Sequence, residues 1–286
     1  MFEKLSYTWT LMGESWRVLK RDKTLVFFPL LSGLSCALVI ASFLIPMISS
    51  DAFTQQQQQL RSADPAKQVA YYALLFAFYF CNYFVITFFN TAIIACAMSR
   101  MAGGDPTFRG GLNEAFKRIH LIAGWALVSA TVGLILRIIE ERSPKVGRFI
   151  AGLLGMAWTM LTYLVVPVMV MQNKGPFASL KESASLLRKT WGEQLAGNFS
   201  FGLVFFFLGI PAYALMFIGF RYSNGNQALM MTAIGVGVVY LVGLALIQSA
   251  LQSIFQAAIY MHTQGISGGP EGFPVKLLKP AMTTRD

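Results

Sequence analysis

Residues 14–33 read ESWRVLKRDKTLVFFPLLSG, and a fainter copy, ESASLLRKTWGEQLAGNFSFG, occupies residues 182–202. Each stretch runs from an amphipathic piece through a basic pair into a long apolar segment. The apolar segment that follows the first junction, Leu25–Ile48, has 24 residues and no Asp, Glu, Lys or Arg. A bilayer hydrocarbon core about 30 Å thick is crossed by a helix of roughly 20 such residues. One charge at the helix centre would cost about 2.5–3.5 kcal/mol, so the missing charges point to a membrane span. The segment exceeds the roughly 7–15 apolar residues of a cleaved signal sequence. Pro29 and Pro46 sit near its ends, and it reads as a retained helix.

Five further blocks repeat this character: Gln68–Ser99, Ile119–Leu136, Phe149–Met171, Leu195–Phe220 and Ala228–Met261, all without a charged residue. In lipid the backbone must satisfy its own hydrogen bonds, and blocks of this length do so as helices. Only 13% of the chain is charged, against about 25% in a typical soluble domain. The expected fold is therefore an all-α integral membrane protein with six transmembrane helices. It forms a single transmembrane domain over residues 1–264, followed by a Gly- and Pro-rich tail over 265–286.

The connections between blocks alternate in basic content. Residues 1–24, 100–118, 172–194 and 262–286 hold 16 of the 23 Lys and Arg. Because basic loops stay inside, both termini are expected in the cytoplasm. The same excess accounts for much of the +10 net charge. It points to anionic lipid headgroups as partners and not to nucleic acid, for which no binding motif is present.

The junctions also repeat. Phe2, Leu5, Trp9, Met12, Trp16 and Leu19 make one helical stripe, and Phe177, Leu180, Ala184, Leu187 and Trp191 make another. Phe108, Leu112, Ala115, Phe116 and Ile119 form a shorter third, and two spans follow each. This reads as a threefold internal repeat of an amphipathic helix plus a transmembrane hairpin, with three such helices in the cytoplasmic interface. The lipid-interface candidates are Trp9, Trp16, Lys20, Arg21, Lys117, Arg118, Arg188, Lys189 and Trp191. Ahead of the middle helix, Asp105 and Thr107 are candidate caps, and Pro106 suits a first helical position.

Polar residues inside the blocks have two readings. Gln248, Gln252 and Gln256 repeat every four residues beside a row of Ala and Ser, while Asn82, Asn90 and Asn198 lie in other blocks. They either pack helices together through hydrogen bonds or line a vestibule open to the cytoplasm. Counting about 20 residues from Ala228 puts Gln248 near the cytoplasmic boundary. Pro167 and Pro211 are expected to kink their spans, and Arg137 to pair with Glu140 or Glu141 one turn on.

Little here suggests catalysis. The two histidines have no carboxylate or cysteine at a metal-ligand spacing, and Cys36, Cys81 and Cys96 fall inside spans with no disulfide framework. No HExxH, CxxC or Gly-rich phosphate loop is present. The expectation is a non-enzyme without cofactor or metal, acting as a structural, partner-binding or lipid-interacting protein, alone or as a homo-oligomer. The alternative is a small-solute or ion transporter.

Two resemblances bear on this. The stretches SWRVLKRDKTLVFFPLLSG, FFNTAIIACAMSRMAGGDPTFRGGLNEAFKR, LVVPVMVMQNKGPFASLKESASLLRKTWGEQLAGNFSFGL and QSIFQAAIYMHTQG together resemble an uncharacterised family of prokaryotic multi-pass membrane proteins, known only as a domain of unknown function. This implies a bacterial or archaeal cell membrane and assigns no activity. The N-terminal junction with FFPLL is also similar to the bacterial sulfate-uptake permease family, which underlies the transporter alternative.

Overall fold

The computed structural model describes residues 13, 15–49, 65–142, 146–222 and 226–266, with the helical backbone alone for 46–49 and 188–200. Among these residues every element is helical. Residues 15–21 are helical and are followed by a 3-10 turn, η1 (Lys23–Val26), which leads into α1 (Phe27–Ser49). Next come α2 (Pro65–Met101), α3 (Phe108–Lys117), α4 (Ile119–Arg142), α5 (Val146–Leu161), α6 (Val165–Gln172), α7 (Pro176–Tyr222) and α8 (Gln227–Thr263). Among the described residues, six helical stretches are long and apolar enough to cross a membrane: Lys23–Ile45, Pro65–Met101, Ile119–Arg142, Val146–Gln172, Phe201–Tyr222 and Gln227–Thr263.

Local chemistry explains the helix ends. After Met101 the chain closes a Schellman motif, with the Gly104 amide donating to the Ser99 carbonyl at 2.9 Å and Gly103 to Arg100 at 3.1 Å. Gly103 takes φ +88°, a conformation open to glycine at little cost. The same motif ends α8, where Gly265 donates to His262 at 2.9 Å and Ile266 to Met261 at 3.0 Å. Helix α3 begins on Thr107, whose hydroxyl accepts from the Gly110 amide at 3.0 Å. Pro106 lies before that cap and outside the helix, and Asp105 pairs with Arg100 instead of capping.

Two sequence expectations change. The fourth block is not one helix: a turn at residues 162–164 separates α5 from α6. The break lies where Pro167 would act on a continuous helix, since proline lacks the amide for the carbonyl four residues back and its ring clashes there. Nor is the third amphipathic segment a separate element. Residues 176–194 run without interruption into the fifth span as the first half of the 47-residue α7. The equivalent point after α3 is interrupted at Arg118, whose backbone leaves the helical conformation, whereas α7 runs on.

The described residues pack as two compact units. The first draws on the described residues within Met1–Pro29, Cys96–Pro106 and Lys189–Asp286. In it η1 packs on α8, and Leu25, Phe28, Phe201, Ile254 and Phe255 are fully buried. The Phe201 and Phe255 rings meet edge to face at 5.4 Å. Along the α7–α8 hairpin, a Cβ added at Gly219 would overlap Ala233 and one at Gly237 would overlap Met216. These glycines set the distance between the two helices.

The second unit draws on Leu30–Ala95 and Thr107–Arg188. Its α4–α5 hairpin is closed by stacked Trp125 and Trp158 rings at 5.8 Å and by Gly147, where a Cβ would strike the Ile139 carbonyl. Here Ala92–Ile94, Leu121, Ile122, Trp125 and Ala126, the whole of Leu164–Val170, and Leu186–Leu187 are buried. In both units burial concentrates at the helix ends that adjoin the basic connections. Toward the opposite ends large apolar side chains are exposed, among them Leu34, Leu38, Phe149, Phe206, Phe217 and Val239.

Candidate functional site

Three polar arrangements stand out, each at a helix end. In the first unit Asp22, a buried carboxylate, accepts from the Thr24 amide at 3.2 Å and from the Thr24 hydroxyl, capping η1. Arg100, at the last turn of α2, reaches Asp22 at 3.4 Å and also pairs with the exposed Asp105. One guanidinium thus ties the start of the first span to the end of the second. Sequence reading missed it, although a lone Asp inside KRDKT and an Arg closing a 32-residue uncharged block were both visible.

In the second unit Glu114 holds both members of the middle basic pair. Its carboxylate accepts from Lys117 at 2.7 Å and from Arg118 at 2.5 Å, and Arg118 also donates to the Glu114 backbone carbonyl at 3.0 Å. The hydrogen bonds from Lys117 and Arg118 hold the Glu114 carboxyl below the usual carboxylate range. Part of the positive charge expected to face lipid headgroups is therefore neutralised within the helix turn.

The third arrangement is the turn at 162–164. The Ser183 hydroxyl donates to the Leu161 carbonyl at 2.6 Å and accepts from the Leu164 amide at 3.1 Å. One buried side chain from α7 thereby satisfies a backbone group on each side of the break. Ser179, one turn earlier and also buried, donates to the Lys174 carbonyl at 3.1 Å. The inward face of this part of α7 is thus Ser179, Ser183, Leu186 and Leu187, offset from the predicted apolar stripe, whose first member Phe177 is exposed.

The sequence candidates are distributed as follows. Trp16 is exposed with the Lys20 ammonium 5.6 Å from its ring centroid, and Arg21 is exposed nearby in sequence. Asn82 donates to its own helix, to the Phe78 carbonyl at 2.9 Å, and so is occupied within α2. Asn90, Gln248, Gln252 and Gln256 are half-buried. Ser253 is buried and donates to Ser249 within α8 at 2.9 Å. Trp9 and the side chains of Arg188, Lys189, Trp191 and Asn198 lie outside the described residues. At the far end of the second unit the expected ion pair forms: Arg137 meets Glu141 at 2.9 Å and Glu140 at 3.5 Å. Glu141 also accepts from Tyr71 and Tyr72, each at 3.2 Å.

Pro211 has a different outcome from Pro167, because α7 continues through it. There the Tyr240 hydroxyl of α8 donates to the Leu208 carbonyl at 3.0 Å, one residue from the carbonyl that the proline leaves without an amide.

These features define an all-helical, multi-pass membrane class of protein, with polar groups gathered at helix ends. The chain belongs to a family of unknown function (DUF6159), whose sequence model matches residues 69–270. No curated protein matches the chain. The likeness to sulfate-uptake permeases is not supported: it rested on the N-terminal junction, which lies before the matched residues.

Proposed function

We propose that this chain is a non-catalytic protein of the bacterial or archaeal cell (inner) membrane, with both termini cytoplasmic, which engages lipids or a membrane partner through amphipathic segments at the cytoplasmic interface. The observation that carries this reading is an exposed aromatic side chain on each of the three apolar stripes. Trp16 is 41% exposed in the first copy, Phe116 57% in the second and Phe177 74% in the third. Such side chains fit an interface where rings meet the acyl boundary and cations meet headgroups. The Lys and Arg asymmetry supports the orientation, and the recurrence of the junction supports a threefold repeat.

The transporter alternative is not favoured by the broken fourth span. Discontinuous helices build transport sites by leaving backbone groups open toward a substrate. Here the groups flanking the break bond to Ser183.

The test replaces Phe116 and Phe177 with Asp, singly and together, and follows an environment-sensitive fluorophore at Asn113 in reconstituted vesicles. The substitutions are expected to move the probe toward water and to weaken its response to added anionic lipid. Unchanged emission would remove α3 from the lipid interface. Protein-dependent solute flux in the same vesicles would make transport the better reading.

A further inference from the structure

We infer that the hydrocarbon layer ends near Gln248 on α8, and that Gln248, Gln252 and Gln256 form an amide ladder crossing the phospholipid headgroup layer. The inference rests on the membrane reading above and concerns the first unit alone. It starts from which residues need lipid. On α7 the large exposed apolar side chains run from Leu203 to Phe220, and on α8 they run from Leu229 to Val242. Water would not tolerate so long an apolar surface, so these two antiparallel intervals lie in the bilayer. Arg221 and Tyr222, with the guanidinium 5.9 Å from the ring, mark the other interface, where Arg and Tyr are favoured.

Helix rise then fixes the opposite boundary. At about 1.5 Å per residue, the 20 residues after Gln227 span about 30 Å, the thickness of the hydrocarbon core. That count ends at residue 247. The burial pattern changes across the stretch that contains this residue, between Val242 and Ala250. Beyond Val242 no large apolar side chain of α8 is exposed, and Ala250, Leu251, Ile254, Phe255 and Ala257–Met261 are buried against protein. The last turns of α8 are covered by protein and have no need of lipid.

The three glutamines rise about 6 Å per step from this boundary, a step comparable to the thickness of one headgroup layer. All three are half-buried, so each presents part of its surface outside the protein. Primary amides donate to phosphate and accept from ammonium or hydroxyl groups. A phospholipid headgroup is therefore the partner that matches the chemistry at Gln248 and Gln252, and Gln256 lies one step further toward water. For Gln248 and Gln252 this differs from both sequence readings, which join the amides to another helix across a dry gap or line a route through the membrane.

The experiment places single nitroxide labels at Val239, Gln248, Gln252 and Gln256 in a background without Cys36, Cys81 and Cys96. The full chain is placed in nanodiscs of phosphatidylethanolamine and phosphatidylglycerol. Accessibility to oxygen against a water-soluble nickel chelate is read at each site, together with broadening of the lipid phosphorus signal. The expected result is oxygen-dominated at 239 and nickel-dominated at 256, with phosphorus broadening greatest at 248 and 252. Should the 256 variant not fold, a label at Thr263 supplies the aqueous end of the gradient. Oxygen dominance continuing through 256 would overturn the boundary, and phosphorus broadening no greater at 248 and 252 than at 239 would overturn the headgroup contact. Either failure leaves the behaviour of Phe116 and Phe177 variants untouched, so the two readings stand or fall separately.

Discussion

Replacing Ser183 with Ala removes one oxygen and breaks two hydrogen bonds at once. The Leu164 amide it caps belongs to a fully buried residue, and Ser183 is itself 1% exposed. A buried amide left without a partner costs about 1–3 kcal/mol. The Leu161 carbonyl loses its 2.6 Å donor, but Leu161 is exposed, so its share is smaller. The sum should be about 2 kcal/mol, or roughly a 25-fold shift in the folding equilibrium. Ser179→Ala is the control: that hydroxyl makes a single bond to a carbonyl, and its loss should cost about 1 kcal/mol. Reversible unfolding in mixed micelles, or steric trapping in bicelles, would measure both. Pro167→Ala adds a second arm, since the restored amide can bond the Tyr163 carbonyl and let the helix run on. The double variant should then be less destabilised than the sum of the singles, by more than about 0.5 kcal/mol. A Ser183→Ala cost below that of Ser179→Ala, or strict additivity with Pro167→Ala, would refute the account of Ser183 as the group that closes the break.

Three further outcomes follow from other contacts. Gly219→Ala places a methyl against Ala233 and should destabilise the α7–α8 hairpin by about 1–3 kcal/mol, whereas Gly202→Ala, which meets open space, should not; thermal aggregation in detergent distinguishes them. Because Lys117 and Arg118 depress the folded Glu114 carboxyl, its contribution is present above the ordinary carboxylate range and is lost as pH falls through the lower folded value; Glu114→Gln should flatten this part of the acid stability profile. Single cysteines at Gln57 and Asn224 should react with an impermeant reagent in intact cells while one at Thr107 should not, and the reverse pattern would invert the proposed orientation.

What the sequence determined by itself was set by solvent. Uncharged runs of more than 17 residues can exist as stable helices in lipid, so the six spans were legible from the missing charges alone. The Arg137–Glu141 pair was legible because it spans four residues on one helix, where spacing is geometry. So was Thr107 as a cap, whose role depends on the next three residues. Tertiary structure decided the rest, because it joins positions that no local period connects. Pro167 and Pro211 look alike in sequence, yet one helix breaks and the other continues. A buried serine hydroxyl 16 residues beyond the first bonds both sides of that break, whereas α7 runs through the second with a tyrosine hydroxyl of the next helix bonded to the nearby Leu208 carbonyl. Likewise Arg100 pairs with Asp22, 78 residues away, and the α7–α8 hairpin leaves no room for a side chain at Gly219 and Gly237. Periodicity reports which face of a helix is apolar. Whether lipid, protein or water meets that face is fixed only when the other helices are in place.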